Sequence, residues 1–155
     1  MKHNLKSLLL ALAIPLAVGG LSALLSGGMG DYRALEKPPL SPPGWVFPVV
    51  WTILYLLMGY SSYRVYFAGK SPAYTRRALI LYGIQLFLNF LWPIVFFGFR
   101  WYLGAFFVLV ALWIVIFLTL RTFSAIDETA GDLLIPYVLW VTFAGYLNFG
   151  IYFLN

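Results

Sequence analysis

Five runs of mostly apolar residues follow one another along the chain, at about 7–26, 45–67, 78–99, 101–120 and 133–154. A helix needs roughly 20 such residues to cross a hydrocarbon core, so each run predicts a membrane-spanning helix. Between them lie a long loop over 27–44, a basic loop over 68–77, a tight turn near Arg100 and an acidic loop over 121–132. The pattern predicts an all-α integral membrane protein: one domain over residues 1–155, built as a five-transmembrane-helix bundle. The first run follows Lys2 and Lys6, as a signal peptide would follow its positive region. It is longer than a signal-peptide core, however, and four further spans succeed it, so it reads as the first membrane helix.

Within the runs, the few polar positions fall at helical spacing. The second carries Trp45, Pro48, Thr52, Tyr55, Gly59 and Ser62 on one face, with Trp51 beside it. The third carries Tyr82, Gln85, Asn89, Pro93 and Phe96, with Trp92 adjacent, and the fifth carries Pro136, Tyr137, Trp140, Ala144 and Asn148. The fourth shows only Trp113 and Thr119, which predicts a helix at the lipid-facing edge. The first places small residues four apart, Ala13 and Ala17, then Gly19, Ala23 and Gly27, a spacing that permits close helix approach.

The loop before the second span holds Pro38, Pro39, Pro42 and Pro43. Each fixes its own φ and biases its predecessor toward extended backbone, so the loop is stiff. It serves either as a lid over the bundle or as a spacer that sets helix separation. Pro15, Pro48, Pro93 and Pro136 sit inside spans, where a bundle interior can satisfy the carbonyls they free.

Composition narrows the chemistry. The chain is 63% hydrophobic and 10% charged, against about 25% charged in a soluble domain. Net charge is +5, but the basic residues sit near segment ends, as membrane-helix flanks do, and predict no nucleic-acid partner. Lys2, Lys6, Arg64, Lys70, Arg76, Arg77 and Arg121 fall on one side, and Arg33, Lys37 and Arg100 on the other. The positive-inside rule then puts the N-terminus inside and the Pro-rich loop outside. There is no cysteine, His3 is the sole histidine, and all five acids (Asp31, Glu36, Asp127, Glu128 and Asp132) lie in loops or at helix ends. No hydrolytic triad, metal centre or intramembrane carboxylate pair can be built from that set, and no cofactor is expected.

What remains inside is aromatic and neutral. Gln85, Asn89 and Asn148 are either interhelical hydrogen-bonding groups, worth about 0.6 kcal/mol each, or anchors for the polar edge of a ligand. Trp45 and Trp101 suit the interfacial belt, whereas Trp51, Trp92 and Trp140 lie deeper. Indole and phenol faces with a few amides suit a planar hydrophobic molecule held by stacking, not an ion or a charged metabolite.

Three blocks carry a family resemblance. They are Ala34-Leu35-Glu36-Lys37-Pro38 with Pro42-Pro43-Gly44-Trp45-Val46-Phe47-Pro48 and Trp51-Thr52-Ile53-Leu54-Tyr55; Gln85 to Trp92; and Pro136 to Asn148. They resemble the TspO/MBR family, the tryptophan-rich sensory proteins related to the mitochondrial translocator protein (peripheral benzodiazepine receptor). The resemblance implies a bacterial cell-membrane protein, a homodimer of five-helix bundles, that binds porphyrins and benzodiazepine-type drugs beneath the first loop. Carried over by position, the ligand-binding residues would be Trp51, Asn89, Trp92, Tyr137, Trp140, Ala144 and Asn148, with Tyr32, Pro42 and Pro43 in the lid.

The same resemblance implies three roles to weigh: a tetrapyrrole receptor, a light- and oxygen-dependent porphyrin-degrading enzyme using Trp51 and Trp140, or a porphyrin transporter. Two positions depart from the family pattern. Asp31 stands where many members have tryptophan, and Leu40 where many have an aromatic, changes expected to thin the lid. The C-terminal Tyr152-Phe153-Leu154-Asn155 lacks the basic residue of the cholesterol-binding tail in animal members, so cholesterol is not an expected ligand.

Overall fold

The computed structural model describes residues 5–28 and 32–155; His3 and Asp31, both named above, lie outside them. The described residues form α1 (Leu5–Ser26), a 3-10 turn (Tyr32–Ala34), α2 (Val46–Tyr66), α3 (Pro72–Pro93), α4 (Tyr102–Ile126), the short α5 (Glu128–Asp132) and α6 (Ile135–Leu154). Five of these are long and apolar enough to span a membrane, α3 together with the turn that follows it and α6 together with α5. The chain is an integral membrane protein with an all-α, five-span architecture.

Helix ends depart from the apolar runs because caps, not hydropathy, set them. The third helix starts at Pro72 rather than 78: Ser71 Oγ accepts from Tyr74 N at 3.4 Å, and Pro72 fills a first-turn position that needs no N–H donor. The expected acidic loop over 121–132 is largely helical. α4 runs on to Ile126, and Asp127 Oδ1 then accepts from Thr129 N at 3.2 Å to start α5. Polar residues at a membrane surface lower hydropathy without ending a helix.

The fourth helix is not the lipid-facing edge. Leu112, Ile116 and Phe123 of α4 are fully buried, and α4 packs along α3 and α6. α1 is the peripheral helix, with only Pro15, Ser22 and Ser26 buried. Its close approach does not use Ala13 and Ala17, which are exposed. Gly19 does serve it, since an added Cβ there would collide with the Tyr55 ring, and Gly59 of α2 lies against the α1 backbone, where an added Cβ would stand 2.6 Å from Ala11 O and 3.0 Å from Leu12 Cα. Near its other end α1 is tied to α3 by Ser22 Oγ, which donates to Phe90 O at 2.7 Å. The reason lies in Pro93. Past it, Ile94 N–H bonds Leu91 O, so the Phe90 carbonyl is left for Ser22 to satisfy. The backbone then makes one π turn, Ile94–Gly98, closed by Phe99 N to Ile94 O at 2.9 Å.

The Pro-rich loop is folded onto the bundle, not strung as a spacer. Tyr32 Oη donates to Pro42 O at 2.7 Å, and Tyr146 Oη donates to Pro39 O at 2.7 Å. Asn155 exchanges two hydrogen bonds with the Glu36 backbone, of 3.2 and 2.8 Å. Lys37 Nζ donates to the carbonyls of Tyr32 and Leu35 at 2.9 and 3.0 Å. Pro38 packs where Gly150 leaves no side chain.

Candidate functional site

A cavity of about 340 Å³ lies between α1, α2 and α3. It exists because the Gly59 contact draws α1 and α2 together at one end, while small residues of α1 (Gly19, Gly20 and Ala23) face bulky ones of α2 at the other. Phe47, Trp51 and Tyr55 follow at spacings of four, so one face of α2 supplies three aromatic walls. α3 adds Asn89, Trp92 and Pro93, and the π turn adds Phe97. The lining residues that are exposed include Leu16, Gly20 and Ala23 on α1 and Pro48 and Thr52 on α2, so the mouth faces sideways between those two helices. Among the described residues, no charged side chain lines it.

The polar floor is one continuous hydrogen-bond chain. Tyr55 Oη donates to Asn89 Oδ1 at 3.2 Å, Asn89 Nδ2 donates to Tyr137 Oη at 2.6 Å, and Tyr137 Oη donates to Gln85 Oε1 at 2.6 Å. Gln85 Nε2 reaches the Met58 sulfur at 3.7 Å. Leaving any one of these buried groups unpaired would cost about 1–3 kcal/mol, so the chain fixes α2, α3 and α6 in register. A primary amide carries two donors and two acceptor sites. Asn89 uses one of each in the chain and leaves one of each uncommitted among the described residues. Gln85 and Asn148 are interhelical ties: Trp92 Nε1 donates to Asn148 Oδ1 at 2.9 Å, and Asn148 Nδ2 donates to Tyr102 O at 2.8 Å.

Beyond Trp92 lies a second, smaller space of about 20 Å³, bordered by Tyr32, Ala144 and Asn148 and sharing Phe47, Trp92 and Phe97 with the first. It has room for about one water molecule. Tyr32 roofs it, and burial pushes its phenol above the usual value.

The expected site residues therefore separate into groups. Trp51, Asn89 and Trp92 line the main cavity; Tyr137 touches Trp51 edge-on at 6.1 Å and anchors the amide chain. Tyr32, Ala144 and Asn148 border the small space. Pro42 contributes its carbonyl to Tyr32, whereas Pro43 is exposed and accepts from Val46 N at 3.1 Å as α2 begins. Trp140 lines neither space. Its ring meets Phe47 at 5.7 Å and Phe143 at 5.7 Å, and its Nε1 is buried without a hydrogen-bond partner among the described residues. The sequence reading did not single out Phe47 or Phe97. The spacing of four through Phe47, Trp51 and Tyr55 was the available signal for Phe47; Phe97 depends on the π turn and had none.

The sequence profile described as the TspO/MBR family matches residues 11–154. The chain belongs to the TspO/MBR family. It is 38% identical over 157 residues to the tryptophan-rich protein TspO of Chlorobaculum tepidum, covering 100% of this chain and 99% of that protein. Protein CrtK of Rhodobacter capsulatus is 39% identical over 88% of this chain and 85% of its own length. The translocator protein of Bos taurus is 35% identical over 88% and 82%. Against the family pattern, Leu40 proves to lie off the cavity walls. It is 84% exposed at the tip of the TspO/MBR loop, with φ of 71°, and so removes no aromatic surface from the main cavity.

Proposed function

We propose that this TspO/MBR protein is a membrane receptor for tetrapyrroles of the protoporphyrin IX type and similar planar hydrophobic ligands. The observation that carries the reading is the uncharged, sideways-opening cavity whose walls are the rings of Phe47, Trp51, Tyr55 and Trp92, with the unspent donor and acceptor of Asn89 at its floor. Such a ligand partitions into the bilayer and meets the mouth there, while stacking supplies about 0.5–1.5 kcal/mol per ring beyond the area buried. The distribution of basic residues supports an N-in orientation, with the Pro-rich lid outside, and the family resemblance supports a homodimeric assembly. Titration of protoporphyrin IX into detergent-solubilised protein should quench tryptophan fluorescence saturably, and Trp51→Phe should weaken binding about 10-fold. Unchanged affinity in Trp51→Phe removes the stacking assignment, and no saturable binding removes the ligand class.

The second reading is light- and oxygen-dependent degradation of that ligand. It is favoured by the ring contacts of Trp51 with Tyr55 at 5.7 Å and with Tyr137 at 6.1 Å, a cluster able to supply an electron to a photoexcited ligand. Product formed in the light, absent in the dark and lost in Trp51→Phe, would establish it. Equal bleaching by that variant would dismiss it.

A further inference from the structure

Phe47 stands where three features meet. It lines both the main cavity and the small space. Its contacts are edge-on to Tyr32 at 5.1 Å and edge-on to Trp140 at 5.7 Å. The other two shared walls are held: Trp92 by its hydrogen bond to Asn148, and Phe97 by packing on Trp92 and Phe96 within the π turn. Phe47 has no polar tether and is only half-buried, in the first turn of α2. Pro48, the next residue, narrows the backbone choices of Phe47, so its freedom lies in side-chain rotation.

We propose that Phe47 is a movable partition that sets the size of ligand the site accepts. Swung aside, it joins the two spaces and opens the cavity to the side of Trp140 that Phe47 covers; the opposite side of that indole lies on an open groove between α2 and α6. Two independent observations support this. At about 340 Å³ the main cavity sits at the low end of ligand pockets, which run to roughly 1,000 Å³, and it suits two or three fused rings better than a macrocycle. In addition, the Trp140 indole N–H is buried next to Phe47 without an acceptor among the described residues, an arrangement that costs free energy unless a ligand's polar atom arrives there. The partition makes Phe47 a specificity-determining residue, and its contact with Tyr32 passes its displacement to the lid.

This inference rests on the planar-ligand reading, and the experiment separates the two. Acridine and protoporphyrin IX are titrated against wild type, Phe47→Ala, Phe47→Trp and, as a milder change that preserves packing, Phe47→Leu. Protoporphyrin IX should bind about 10-fold tighter to Phe47→Ala, in the same direction but less so to Phe47→Leu, and about 10-fold weaker to Phe47→Trp. Acridine should stay within about 2-fold throughout. Parallel changes for both probes would make Phe47 an ordinary wall and overturn the partition. A ligand-free measurement accompanies the titrations: in ¹⁵N-indole spectra, the Nε1–H of Trp140, assigned with Trp140→Phe, should exchange with water faster in Phe47→Ala or Phe47→Leu than in wild type. Unchanged exchange in both variants would overturn the partition whatever the titrations give. If neither probe binds wild type, the ligand reading fails and the exchange rates alone decide for or against the partition.

Discussion

The two ends of this bundle are built by opposite rules. At the end near Gly59, helices touch backbone to backbone, Ser61 Oγ donates to Ala130 O at 2.6 Å, and Arg64 pairs with Asp127 at 2.7 Å. Met58, Val65, Ala78 and Phe123 are fully buried there. At the lid end the contacts are edges of half-buried rings, Phe47, Trp51, Trp92 and Trp140, roofed by a proline loop held by a few hydrogen bonds. Close-packed backbone leaves no room and few alternatives, whereas ring edges can slide and rotate at little cost. The difference teaches where a ligand site can form in a chain with no buried charge: at the end where packing is aromatic and unfinished, braced by the end where it is complete.

The largest effect should come from breaking the tight end. Gly59→Leu forces a side chain into the α1 backbone and should cost about 3 kcal/mol, read as a lower thermal midpoint in detergent. A midpoint equal to wild type would mean the α1–α2 contact does not brace the bundle. Next, Tyr137→Phe removes the hydroxyl that serves both Asn89 and Gln85, and should cost about 2 kcal/mol in denaturant unfolding while also weakening ligand binding. Stability lost without any change in affinity would detach the amide chain from the site.

Smaller still, Arg64→Ala should cost about 0.5–1 kcal/mol, because the pair is partly exposed (33% and 19%), and should leave ligand affinity unchanged. A change in affinity would show the two ends to be coupled. The smallest effect concerns pH. Burial raises the Tyr32 phenol above its ordinary value of about 10, so the folded lid favours the protonated form. Its contribution is fully present below about pH 10 and is lost as pH rises through the folded value. Proteolysis within residues 32–44 should therefore speed up at alkaline pH in wild type and show no such rise in Tyr32→Phe.

The five spans were legible because crossing a membrane demands length and apolarity, and both are written in composition. Their ends were not, since Ser71 and Asp127 act through caps that hydropathy does not register. Asn89 and Gln85 stood out as amides in an apolar helix, but their partners Tyr55 and Tyr137 come from other helices and only the fold joins them. Trp140 was expected to face the ligand with Trp51. Tyr137, Ala144 and Asn148 of its stripe on α6 do turn inward, but Trp140 sits at the edge of that face, and which ring stands between it and the cavity, Phe47, depends on how α2 packs.

The bond from Ser22 to the Phe90 carbonyl has a kinetic meaning. A molecule that pushed α1 away from α3 would strip the carbonyl of its partner in a medium that offers no replacement. An unpaired carbonyl there costs several kcal/mol, so the displaced arrangement is rarely visited. The irregular turn after Pro93, where Ile94 N–H bonds Leu91 O instead of Phe90 O, thus sets the resting position of a helix that walls the cavity.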